Sequence, residues 1–143
     1  MTFYWYERII YLNINFDKEG DKMAYLIPIN LIPILMIIFG ALFITHAPKN
    51  INSIYGYRTP MSRKNKDTWQ FAHHYCGGLW CIFGIALLII SSGSAIYLNS
   101  INKTTFDSFN PVFIIGEIIV MLLTILLTEI ALRKNFDKNG NLK

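Results

Sequence analysis

Charge is the scarcest ingredient of this chain. Only 15% of its 143 residues are Asp, Glu, Lys or Arg, against 53% hydrophobic, a balance that excludes an average soluble domain. Cysteine is also rare: Cys76 and Cys81 are the two. At i,i+5 on one helix they point about 140° apart, which excludes a disulfide between them, and they match no metal-ligand spacing. They read as small membrane residues. A glycine-rich phosphate loop is missing, since Gly77-Gly78 opens an apolar run. His73 and His74 are adjacent and so cannot form the i,i+4 pair of a helical zinc site; His46 adds a third imidazole with only Asp67 as a nearby carboxylate. Cys76 near His73 lacks an orienting acid and oxyanion donors. An enzyme, a bound metal and a cofactor are therefore not expected.

What is present is long and apolar. Residues 24–45 and 77–100 carry no charge, and residues 111–132 carry only Glu117 and Glu129. About 20 apolar residues in a helix cross a hydrocarbon core. The expected fold is all-α: an integral membrane protein with three transmembrane helices over about 24–45, 77–99 and 111–132, and a short basic loop leading into helix 2. Helices of a soluble bundle would carry polar stripes, and these barely do.

Lys and Arg set the expected topology. Nine of them lie in loop 46–74 and in the tail after 132, and four in the N-terminal segment and around 101–110. The positive-inside rule then puts loop 46–74 and the C-terminus in the cytoplasm and the N-terminus outside, in a bacterial inner membrane. Anionic headgroups of the bilayer are the natural counter-surface. The basic residues form no separate soluble domain, so direct nucleic-acid binding is not expected.

Residues 1–22 are aromatic, then polar and acidic, and lack the pattern of a signal peptide. Two readings stand. Lys18-Glu19-Gly20-Asp21-Lys22-Met23 can be encoded AAA GAA GGA GAT AAA ATG, which contains AAGGAG just before an ATG, the look of a bacterial ribosome-binding site. Met23 is then the true start, 1–22 an untranslated leader, and 23–143 the membrane domain. The other reading is an interfacial segment anchored by Tyr4, Trp5 and Tyr6. The first is favoured, and a native N-terminal mass starting well before Met23 would exclude it.

Within helix 1, Pro33 removes a donor and frees the carbonyl of Ile29, so a kink is expected, with Asn30 beside it to satisfy the defect. Gly56 suits a tight turn and Thr59-Pro60 an extended one. Ser62 or Asn65 can cap the next helix, with Asp67 in its first turn. Trp69, His73, Gly77 and Trp80 share one face, with Trp69 and Tyr75 at headgroup level. Pro111 is expected to open helix 3 after a short outer loop at 99–110. There Glu129 and Arg133 form an i,i+4 ion pair, and Glu117 lies about 9 Å inside Pro111, sharing a face with Met121, Thr124 and Thr128. An acid at that depth is a functional candidate.

Asn52, then Gly56-Tyr57-Arg58-Thr59-Pro60, then Ser62, Asn65 and Trp69, followed by His73, Gly77 and Leu79-Trp80, resemble the SdpI family of small bacterial membrane proteins. The resemblance covers about 30 of the 143 residues. It implies a bacterial inner-membrane location. For the member that names the family it implies immunity to a secreted antimicrobial toxin peptide, and signal transduction by holding an autorepressor at the membrane. That member is longer, with further spans.

The expected function is protection against, or sensing of, a membrane-active toxin peptide. Asn52, Gly56, Tyr57, Arg58, Thr59, Pro60, Ser62, Asn65, Trp69 and His73 are the expected partner or lipid contacts. Arg58 is foremost, because a guanidinium can clamp a phosphate or carboxylate. A groove lined by Pro33, Gly84 and Glu117 is expected to take the peptide from outside. Expected partners are the bilayer, the toxin peptide, a cytoplasmic repressor protein and a second copy in a homodimer. The alternatives are a small transporter or envelope-stress component using Glu117 as a proton or cation site, and a structural membrane subunit.

Overall fold

The computed structural model describes residues 26–101 and 103–143. Residues 1–22, with both readings of that segment, lie outside the described residues. Three helices follow in order: α1, Leu26–Thr45; α2, Lys66–Ile101; and α3, Lys103–Asn135. All three are long and apolar enough to cross a membrane. The 36 residues of α2 measure about 54 Å at helix rise against a core of about 30 Å. Its first turns therefore stand beyond the bilayer as one continuous rod with the span.

Lipid as solvent explains the distribution of side chains. Ile27, Leu31, Ile38, Ile82, Ile89, Ile115, Leu122 and Leu126 face outward, whereas Asn30, His73, Ser91, Glu117, Thr124 and Thr128 are buried. Polar groups that cannot reach water must find partners inside the protein. The face of α3 that begins at Glu117 accordingly turns inward. Thr128 Oγ1 donates to the carbonyl of Thr124 at 2.8 Å, and Trp80 Nε1 donates to Thr124 Oγ1 at 2.8 Å, tying α2 to α3.

The α1–α2 seam runs on glycine. A methyl group at Gly77 would come within 2.8 Å of the Gly40 carbonyl oxygen, and one at Gly40 within 2.9 Å of the Gly77 oxygen. The two backbones touch, the close approach that small residues permit in membranes. Gly84 is closed the same way: a methyl group there would come within 3.1 Å of the Pro33 oxygen and 2.9 Å of the Ile37 side chain. The expected Pro33–Gly84–Glu117 groove is therefore not open at Pro33 and Gly84; a helix contact fills it.

Two other expectations are corrected, on Asn30 and on Pro111. Asn30 does not turn to the carbonyl freed by Pro33; its Oδ1 accepts from Ser91 and Ser92 of α2. Pro33 lies inside a helix that continues through it. Pro111 does not open α3: the helix starts at Lys103 and α2 runs to Ile101, so the short loop expected over 99–110 is helical at 99–101 and 103–110. An internal proline costs one backbone hydrogen bond and a ring clash, which membrane helices absorb.

At the far end of α3 the chain hooks back. The Asp137 amide donates to the Asn141 carbonyl at 2.8 Å, Lys143 N to Asn135 O at 3.0 Å, and Phe136 bridges Leu142. Gly140 sits at φ 91°, the turn of that hook.

Candidate functional site: the locked loop between α1 and α2

Loop 46–65 is folded down onto the end of the bundle. Asn52 Oδ1 accepts from the amides of Ile54 at 3.0 Å and Tyr55 at 2.8 Å, a side-chain-made turn that leaves Ile54 91% exposed. Gly56 follows at φ 118°, a conformation that L side chains rarely adopt. It is also where a Cβ would run into the His73 ring. That closeness lets the Tyr57 amide donate to His73 Nε2 at 3.0 Å. His73 Nδ1 lies 2.7 Å from the Trp69 carbonyl. A carbonyl only accepts, so Nδ1 carries the proton and Nε2 receives; the neutral ring satisfies both neighbours.

Tyr57 is the plug. Only 6% of it is exposed, and its hydroxyl donates to the Ile125 carbonyl of α3 at 2.9 Å. Burial pushes its phenol well above the ordinary range, with the nearby Cys76 and Glu129 adding to the shift, so the group remains a donor. The next residues clasp each other. The Thr59 amide donates to Ser62 Oγ at 3.0 Å, and the Ser62 amide to Thr59 Oγ1 at 3.2 Å. Ser62 Oγ in turn reaches the Tyr57 carbonyl at 2.9 Å.

Asn65 caps α2, as expected for one of the two candidates. The Thr68 amide donates to Asn65 Oδ1 at 2.9 Å and the Asn65 amide to Thr68 Oγ1 at 3.1 Å, a reciprocal capping box with Thr in the third position. Asn65 Nδ2 also donates to the Gly140 carbonyl at 2.6 Å, so the loop and the C-terminal hook meet at one end of the molecule. Trp69, expected at headgroup level, is fully buried. Its indole N–H finds the Pro48 carbonyl inside the protein at 2.6 Å, and the satisfied donor no longer needs the interface. Tyr75 is exposed.

The ten residues expected as contacts therefore separate. Tyr57, Ser62, Trp69 and His73 are buried; Asn52, Gly56, Thr59 and Asn65 are half-buried; Arg58 and Pro60 are exposed. Arg58 has no ion pair among the described residues, where the recorded pair is Arg133 with Glu129 at 3.0 Å. Phe43 of α1 and Pro48 were not anticipated. Phe43 meets His73 edge-on at 5.0 Å and stacks on Trp80 at 5.7 Å, and no local pattern announces such a partner. Thr68 was legible, three residues after a capping Asn.

The sequence profile of the SdpI/YfhL protein family matches residues 49–131. The chain belongs to this family. A stretch of 53 residues, 37% of the chain, is 42% identical to the uncharacterized protein YfhL of Bacillus subtilis (strain 168). The match covers 48% of that protein, so the chain spans about half the length of the relative it matches. No solved structure matches the chain. The segment matched by the SdpI/YfhL profile takes in the loop from Lys49, all of α2 and α3 as far as Ala131. It includes Tyr57, His73 and Ile125, the residues of the plug, whereas Phe43, Pro48 and the hook lie outside it.

Proposed function

We propose that this SdpI/YfhL family protein protects its cell against a membrane-active toxin peptide, or reports the peptide's presence, without catalysing a reaction. The observation that carries the reading is the exposed Arg58, without an ion pair among the described residues, on a loop locked at Tyr57 on one side and at Thr59 and Ser62 on the other. A guanidinium on a fixed base loses little freedom on binding, which favours bidentate recognition of a carboxylate or phosphate. Arg58 would hold an acidic partner, such as a cytoplasmic repressor protein, or lipid headgroups. The orientation belongs to the same proposal: loop and C-terminus cytoplasmic, N-terminus outside. The Lys and Arg distribution supports it, together with the junction of Asn65 and Gly140 that brings the two basic regions to one end.

The test is survival. A susceptible bacterium expressing the full chain is titrated with a panel of secreted antimicrobial peptides. Expected is raised survival against at least one peptide, lost in Arg58→Ala at equal membrane abundance. Undiminished protection in that variant removes Arg58 from the mechanism. No protection from any peptide, with the protein in the membrane, overturns the reading.

A further inference from the structure

Each of the three helices contributes a polar side chain to the buried half of the bundle remote from the loop. Asn30 Oδ1 of α1 lies 2.9 Å from Ser91 Oγ and 3.0 Å from Ser92 Oγ of α2. Ser91 Oγ also lies 2.7 Å from the Leu87 carbonyl. Glu117 of α3 stands beside Ser91 and is 2% exposed, yet neither carboxyl oxygen has a hydrogen-bond partner among the described residues. The single proton of the Ser91 hydroxyl already has two acceptors competing for it. The Glu117 carboxyl thus lies in a buried polar cluster in which no donor reaches either of its oxygens among the described residues. No Lys, Arg or His occurs in residues 26–45, 75–101 or 110–132 to compensate the carboxyl.

We propose that Glu117, Asn30, Ser91 and Ser92 form an intramembrane site for one small monovalent cation of sodium's size and hardness. The donor set is all oxygen, which suits hard cations and disfavours soft or imidazole-seeking metals. One carboxylate with one monovalent cation is neutral, whereas a divalent ion would leave a net charge within the hydrocarbon. Ser91 can present its lone pairs to the ion by turning its proton wholly to the Leu87 carbonyl, already in reach. A cleft lies one turn from the site. Its volume of about 280 Å³ is lined by Ser94, Tyr97, Leu98 and Phe113. Ser94 follows Ser91 by three positions and Phe113 precedes Glu117 by four, so the cleft lies one helical turn nearer the α2–α3 connection. The site does not depend on the toxin reading.

The test is thermal unfolding of the purified full chain. Sodium chloride is titrated against choline chloride at constant pH and ionic strength, then replaced by the lithium and potassium salts. Expected is a saturable rise in Tm with sodium, absent in Glu117→Gln and weakened in Ser91→Ala, with helical content unchanged. No cation-dependent rise in the wild type, or an equal rise in Glu117→Gln, overturns the site. A Tm that follows pH but none of the three cations also overturns it and leaves Glu117 as a proton carrier. If the variants fail to fold, radiolabelled sodium binding to the wild type decides: one ion per chain supports the site, none refutes it.

Discussion

Gly56 carries two constraints at once, a φ of 118° and direct contact with the His73 ring. Any side chain there strains the backbone and displaces the imidazole that accepts from Tyr57. Gly56→Ala is expected to cost about 2 kcal/mol or more, read as a lower Tm and loosened packing around Tyr57. An unchanged Tm would show that the loop is not held against His73 in the way described. Arg58, its near neighbour, belongs to the opposite category. It is exposed and bonded to nothing among the described residues, so Arg58→Ala should leave stability within about 0.5 kcal/mol while removing protection. The contrast separates residues that build the loop from the one that the loop displays. Sequence spacing alone placed Trp69 and His73 on one face, which the structure shows. It did not reveal that Trp69 is buried, because the Pro48 carbonyl that satisfies it lies on a different segment.

Among the elements, the hook after α3 has a pH dependence of its own. The Asp137 carboxyl accepts from the amides of Asn139 at 2.8 Å and Asn141 at 2.9 Å. These hydrogen bonds, led by that of the Asn141 amide, hold its pKa below the usual carboxylate value. A depressed folded-state pKa means that the contribution is complete above the unfolded value of about 3.9. It is lost as pH falls through the lowered folded value. Hydrogen exchange at Asn139 and Asn141 should therefore remain protected at neutral pH and lose protection only in that acidic window. Loss of protection near pH 6 would contradict the hook. Its attachment to Asn65 through the Gly140 carbonyl makes it a brace for the capped start of α2. The i,i+4 pair of Glu129 and Arg133 was legible from spacing and is present at 3.0 Å. The start of α3 was not, because a proline is read as a helix beginning, whereas a long apolar helix tolerates it inside.

For the whole molecule, the organising fact is an apolar exterior around a polar seam. Apolar side chains lie along the outside of all three helices, and α2 packs against both neighbours while α1 and α3 touch lightly. Loop and hook share one end, so both must lie on the same side of the membrane. A reporter fused after Lys143 and a cysteine-labelling probe placed at Ile54, which is 91% exposed, should therefore agree, both reading cytoplasmic. Agreement on the outer side would reverse the proposed orientation, and disagreement between the two would break the three-span topology itself.

The sequence by itself determined the number of spans, the face that Glu117 shares with Thr124 and Thr128 on α3, Asn65 as one of two candidate caps and the identity of the loop. Each of these depends on one segment alone, and uncharged runs, helical spacing and capping residues record that directly. Only the tertiary structure decided which polar groups meet: Asn30 with Ser91 and Ser92, Tyr57 with Ile125, Trp80 with Thr124, Asn65 with Gly140. Helical periodicity shows which face turns inward. It carries no information on the height at which one helix stands against the next, and that height is fixed here by glycine-to-backbone contact between α1 and α2.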